Sequence, residues 1–146
     1  MNNIKSQSIA RQAGWYYMAI IVLGLYFIMY IPSQIRASGD IELTFNNLLQ
    51  NELLFRSGIL AHFLSITAFI LLVLSLYELL KKVNQGLAKV MVAFVIVQVP
   101  VVFISVGLRF SALMLAKERF VTSLDILQRQ EWVSFLLRIA EYADEE

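Results

Sequence analysis

Cysteine is absent from the 146 residues, and histidine occurs once, at His62. No disulfide, thiolate nucleophile, iron–sulfur cluster or cysteine-ligated zinc is therefore available. A single imidazole likewise excludes every site that needs two. Charge is scarce: 16% of residues are charged, against roughly 25% in an average soluble domain. The 12 Lys and Arg nearly balance the 11 Asp and Glu, leaving +1, so no basic excess points to nucleic acid. Catalytic signatures are missing as well. There is no H-E-x-x-H, no G-x-S-x-G, no Walker loop and no G-x-G-x-x-G.

What fills the chain instead is apolar. Hydrophobic residues make up 59%, above the roughly 45–50% of soluble domains, and the mean hydropathy is +0.69. The length allows one domain, and a soluble domain this small exposes much surface that charges must cover. The composition therefore points to a membrane. Charges are missing from three stretches, residues 12–35, 57–77 and 90–108. At about 1.5 Å per helical residue even the shortest covers close to the ~30 Å hydrocarbon core. None alternates strictly, so spanning strands are excluded, and in lipid the remaining solution is a helix. The spans are expected near 13–31, 58–80 and 88–110, within a single membrane domain of residues 1–146.

The run from Trp15 to Ile31 exceeds the ~7–15 residues of a cleaved signal. Trp15, Tyr16 and Tyr17 at its start, with Tyr26 and Tyr30 towards its end, read as interfacial aromatic belts. Lys5 and Arg11 precede this span, and Lys81, Lys82 and Lys89 crowd the turn between the second and third. That asymmetry places the N-terminus in the cytoplasm. Arg109, Lys117, Arg119 and Arg129 would then lie on the far side.

Two regions are neither spans nor tight turns. Residues 39–56 place Ile41, Phe45, Leu48, Leu49 and Phe55 on one stripe. Asp40 is a candidate N-cap, and Glu52 stands four residues before Arg56. This predicts an amphipathic helix at the outer interface. The tail 117–146 holds 11 charges, with Trp132, Phe135, Leu136 and Ile139 on one stripe and Ser134, Arg138 and Glu141 off it. It is expected to be helical, lying at the interface or docked on the bundle. Glu131, Arg138 and Glu141 leave it too short an apolar run to span.

Few residues inside the spans carry chemistry. His62 lies about one turn inside the second span, and a histidine in lipid must face the bundle or water. It is either a functional group or an imidazole bonded to Ser65, or to a polar group on the third span such as Ser105. The antiparallel spans put Ser105 and Arg109 at its depth. Gln98 precedes Pro100, whose missing N–H should kink the third span. Together they are either a ligand contact or interhelical glue. Arg109 and Glu78 mark span ends and are expected to snorkel, with Arg56 just outside the second span. Gly24 and Gly107 are expected to permit close helix approach. No catalytic, cofactor-binding or metal site emerges, and no carboxylate is placed to orient His62 for a Ser65 nucleophile.

Three stretches carry a resemblance to a known family. They are Ala10-Arg11-Gln12-Ala13-Gly14, Glu52-Leu53-Leu54-Phe55-Arg56-Ser57-Gly58-Ile59, and Leu76-Tyr77-Glu78-Leu79-Leu80-Lys81-Lys82-Val83-Asn84 continuing to Leu87-Ala88. With Pro100 in the third span, they resemble a bacterial family of multi-pass membrane proteins catalogued as domain of unknown function 4386. The resemblance covers roughly residues 8–110. It implies membrane architecture, with no activity, cofactor or catalytic residue to carry over. Family members are generally longer, with further spans, so the chain reads as a shortened member.

The resulting expectation is an all-α membrane protein, with three transmembrane helices, an interfacial helix and a polar helical tail. It is expected to be a non-enzymatic structural or accessory component of the cell membrane. Its partners would be the bilayer and either itself or another membrane protein. The alternative is a carrier or sensor holding a lipid or small apolar ligand between spans two and three, against His62, Gln98 and Pro100.

Overall fold

Uncharged runs too long for a small core become long helices in the computed structural model, which describes residues 2–37, 39–117 and 124–145. The order is α1 (Asn2–Leu25), a π-helical turn (Tyr26–Tyr30), α2 (Ile31–Ile35), α3 (Ile41–Gln50), α4 (Glu52–Leu80), α5 (Gln85–Ala116) and α6 (Ile126–Glu145). No strand occurs among the described residues. Glu118, Arg119 and Glu146, counted among the tail's charges, lie outside them.

Three helical stretches are long and apolar enough to cross a bilayer: Ser6–Ile35, Glu52–Leu80 and Gln85–Ala116. All three exceed the expected limits, because helices run on through charged ends where side chains reach water. The first stretch joins α1, the π turn and α2. Within it the Ile31 N–H bonds the Tyr26 carbonyl, an i→i+5 step that widens the helix locally. Pro32 needs no hydrogen-bonded N–H at the start of α2 and is accommodated there. Pro100 sits inside α5, and the helix continues through it to Ala116.

The helices pack in an order that leaves the assembly open. α1 lies along α4, α4 along α5, and α5 along α6. Among the described residues α1 packs on neither α5 nor α6. One close approach holds the first two spans: a Cβ built on Gly58 of α4 would come within 2.9 Å of Ile31 Cγ1. Gly24 and Gly107, expected to serve such approaches, face open space instead. The Tyr26 hydroxyl adds a 2.7 Å hydrogen bond to Ser57 Oγ across the same interface.

Residues 39–56 do not form one helix. The chain breaks at Asn51 (φ −104°, ψ 34°), separating α3 from α4. The break gives the expected stripe two destinations. Phe45 and Leu48 of α3 and Phe55 of α4 are buried, while Ile41 and Leu49 remain exposed. Asp40 caps α3 as expected, its Oδ1 accepting the Leu43 N–H at 2.8 Å. Gly39 precedes it at φ 85°, a left-handed conformation that favours glycine. Thr44 Oγ1 accepts the Ala37 N–H at 3.0 Å, which folds the 36–40 connection onto the first turn of α3.

The buried core lies at this end of the molecule. Ile31, Ile35, Phe45, Leu48, Phe55, Leu113 and Val133 pack together there. Between the ends, the spans turn residues such as Leu64, Leu74, Phe94, Val97 and Ile104 outward. That division is what a bilayer produces, because lipid solvates an apolar helix face as well as protein does.

The tail docks. α6 returns along α5 with its expected stripe divided: Trp132, Phe135 and Ile139 face outward together with Tyr142, while Leu136 packs against the core and Val133 and Ala140 are buried inward. Ser134, Arg138 and Glu141 of α6 line the cavity beside the bundle, while Glu131 is exposed.

Candidate functional site

His62 is the lone imidazole, and its surroundings define the first part of the site. The ring is 5% exposed and stacks on Phe27 of the π turn, centroids 4.0 Å apart and planes 12° from parallel. Its Nε2 lies 3.9 Å from Oδ1 of Asp144 on α6. The second oxygen of that carboxylate accepts from Arg109 Nη2 at 2.7 Å. One residue each from α4, α5 and α6 therefore meets at a single carboxylate. An arginine inside a bundle must be compensated, and Asp144 supplies the opposite charge.

The expected hydrogen bonds of His62 are not those observed. Ser65 is buried beside it on α4, but the imidazole Nδ1 has no hydrogen-bond partner. Ser105 is fully buried and donates its hydroxyl to the Ala140 carbonyl of α6 at 3.0 Å. It thereby bonds the docked helix rather than the histidine. Arg109 lies at the expected depth. Its guanidinium is held by the Asp144 carboxylate of α6. Gln98 and Pro100 are exposed on the outer face of α5 and line no part of the site.

The flanking charges behave as structural groups. Glu78 takes an ion pair from Lys81 at 2.6 Å. Glu52 receives both Arg56, at 2.7 Å, and Lys117, at 2.7 Å. The second contact ties the end of α5 to the start of α4.

A cavity of about 310 Å³ opens next to the His62–Arg109–Asp144 cluster, bounded by α2, the 36–41 connection, α3, α5 and α6. Its apolar part is Ile31, Pro32, Ile35, Phe55 and Leu137, and its polar part includes Arg36, Asp40, Arg109, Arg138 and Glu141. Arg36 and Glu141 are ion-paired across it. Neither His62 nor Gln98 lines this cavity, and α6 supplies one of its walls. Among the described residues no three of His, Asp and Glu converge as a metal ion would require.

Asp144, Glu141, Arg138 and Arg36 were not singled out as site residues in the sequence. One signal bears on Asp144 and Glu141 alone: an arginine at a span end can take a carboxylate partner, and α6 carries several.

A family model described as "Domain of unknown function (DUF4386)" matches residues 12–143. The match runs through α6, well past the three stretches that carried the resemblance. No curated protein and no solved structure matches the chain.

Proposed function

The chain belongs to the DUF4386 family, and from that premise we propose that it is a non-enzymatic helical component of the cell membrane, built to associate with itself or another membrane protein. The observation that carries this reading is the open helix order. Only 11% of the apolar windows of the first and third spans is buried, against 33% for the second. α1 in particular has its long face free on the side away from α4. Helices in lipid associate through such packing surfaces.

The experiment is purification in mild detergent, followed by light scattering and identification of bound proteins. A dimer, a larger oligomer or a stoichiometric partner is expected. A monodisperse monomer with nothing bound refutes the association.

The same reading places the N-terminus and the 81–84 turn in the cytoplasm. Lys5 and Arg11 precede the first span, and Lys81, Lys82 and Lys89 crowd the short turn between the second and third, which is the Lys and Arg bias of cytoplasmic segments. The cysteine-free chain makes the test direct. In intact cells, a thiol reagent that does not cross membranes should label Leu43→Cys and spare Gly86→Cys. The reverse pattern inverts the topology.

A second reading, a carrier or sensor for an amphiphile, is favoured by one observation. The cavity joins an apolar wall to a charged one. Such mixed lining is the usual composition of small-molecule sites.

A further inference from the structure

Among the described residues, the charges around the cavity close in pairs except for two. Arg36 is committed to Glu141, and Arg109 to Asp144. That leaves the Arg138 guanidinium on α6 and the Asp40 carboxylate at the start of α3, both lining one space. Asp40 spends one oxygen on the Leu43 N–H, which leaves the other for a ligand. Three guanidinium groups and three carboxylates thus make the site neutral overall, in contrast to the basic pockets that select anionic lipids.

Depth supplies a second constraint. The polar part is formed where the first span ends at Ile35, beside the start of α4 and the end of α5. It therefore lies at the level of the lipid headgroups. Its apolar part, Ile31, Ile35 and Phe55, belongs to the spans themselves and so points the cavity towards the acyl region. The volume of about 310 Å³ stands at the low end of ligand pockets, roughly 300–1,000 Å³. It suits a headgroup and the first carbons below it, and excludes two full chains.

We propose that this cavity binds a zwitterionic phospholipid with a primary ammonium, its phosphate against Arg138 and its ammonium against Asp40. The proposal rests on the amphiphile reading given above. Guanidinium is well suited to phosphate because it presents planar paired donors. A primary ammonium donates hydrogen bonds to a carboxylate, which a quaternary ammonium cannot do.

Native mass spectrometry of the full chain in detergent, titrated separately with phosphatidylethanolamine, phosphatidylcholine and phosphatidylglycerol, tests it. The first lipid should bind most tightly. Arg138→Gln should weaken it about tenfold, the loss of one charge-assisted hydrogen bond. Asp40→Asn keeps a helix-capping oxygen and should level the first two lipids. Ser134→Phe, which fills the cavity from α6 without touching a charge, should abolish the selective binding while leaving the helical circular dichroism intact. Phosphatidylglycerol binding as tightly as phosphatidylethanolamine overturns the zwitterion and leaves an amphiphile site. Equal competition by water-soluble glycerophosphoethanolamine overturns the lipid as source. Lipid retention identical in wild type and Ser134→Phe overturns both this proposal and the amphiphile reading.

Discussion

The guanidinium of Arg109 and the carboxylate of Asp144 meet at 2.7 Å, with only 11% and 15% of their side chains exposed. This pair joins α5 to α6 and lies beside the one imidazole of the chain. Charges so covered are weakly stabilising as a pair and strongly destabilising when one is removed. Asp144→Ala should therefore cost about 3–5 kcal/mol, by analogy with broken buried pairs. Replacing both partners, Arg109→Met with Asp144→Leu, should recover most of that loss. Thermal unfolding in detergent measures both, and a double variant as damaged as the single one contradicts the pairing.

A shorter contact in the same interface offers a gentler probe. Ser105 Oγ donates to the Ala140 carbonyl at 3.0 Å with the serine fully buried. Ser105→Ala should cost about 0.6–2 kcal/mol, the range for polar contacts between membrane helices. Ser105→Leu should cost more, because the added carbons have no room and push α6 away. Protease susceptibility of the 118–125 segment reads the undocking of α6, and Ser105→Leu should raise it.

Glycine positions in the spans should divide by environment. Gly58→Ala places a methyl 2.9 Å from Ile31 Cγ1 and 3.2 Å from its Cγ2, atoms at the branch point that cannot swing aside. A loss of about 1–3 kcal/mol is expected from the forced separation. Gly24→Ala and Gly107→Ala meet nothing within 4 Å, and should be neutral or stabilising by up to about 1 kcal/mol through helix propensity. Melting temperatures of the three variants separate the two classes.

The outward face of α6 predicts a spectroscopic result. Trp132 and Phe135 pack edge to face, 5.8 Å apart, on the exposed side of the helix. In a Trp15→Phe background, which leaves one tryptophan, the fluorescence of Trp132 should be quenched strongly by brominated lipids. It should respond weakly to acrylamide. The opposite pattern means that this face meets water.

The spans were legible because absence of charge over some twenty residues has only one helical solution in lipid. The Asp40 cap and the Glu52–Arg56 pair were legible because both are local, within four residues. The position of the cavity was not. It depends on α6 folding back so that Ser134, Arg138 and Glu141 line it, and sequence alone left docking and interfacial placement both open. Helical periodicity separates the two faces of α6 but does not say which meets lipid. His62 shows the same limit. Its depth was readable, yet its stacking on Phe27 and approach to Asp144 join residues far apart in the chain. Gln98 was readable as a polar amide within a span, but which face of α5 carries it was not, and it lies on the outer one.

The wide turn at Tyr26–Tyr30 works as a gear offset in the first span. Each residue advances a helix by about 100°, so the extra residue in this turn re-aims everything that follows it. Beyond the offset, Ile31 and Ile35 mesh with Gly58, Phe55 and the core, while Phe27 within it reaches His62. The two halves of the span are thus phased independently against the same neighbour. Forcing an ordinary α turn on all five residues of 26–30 would keep the hydrophobic length nearly unchanged, yet rotate the lower half by about 100° and disengage it from the teeth it now fits. Span length and span phase are separate properties of this chain, and the phase is set at these five residues.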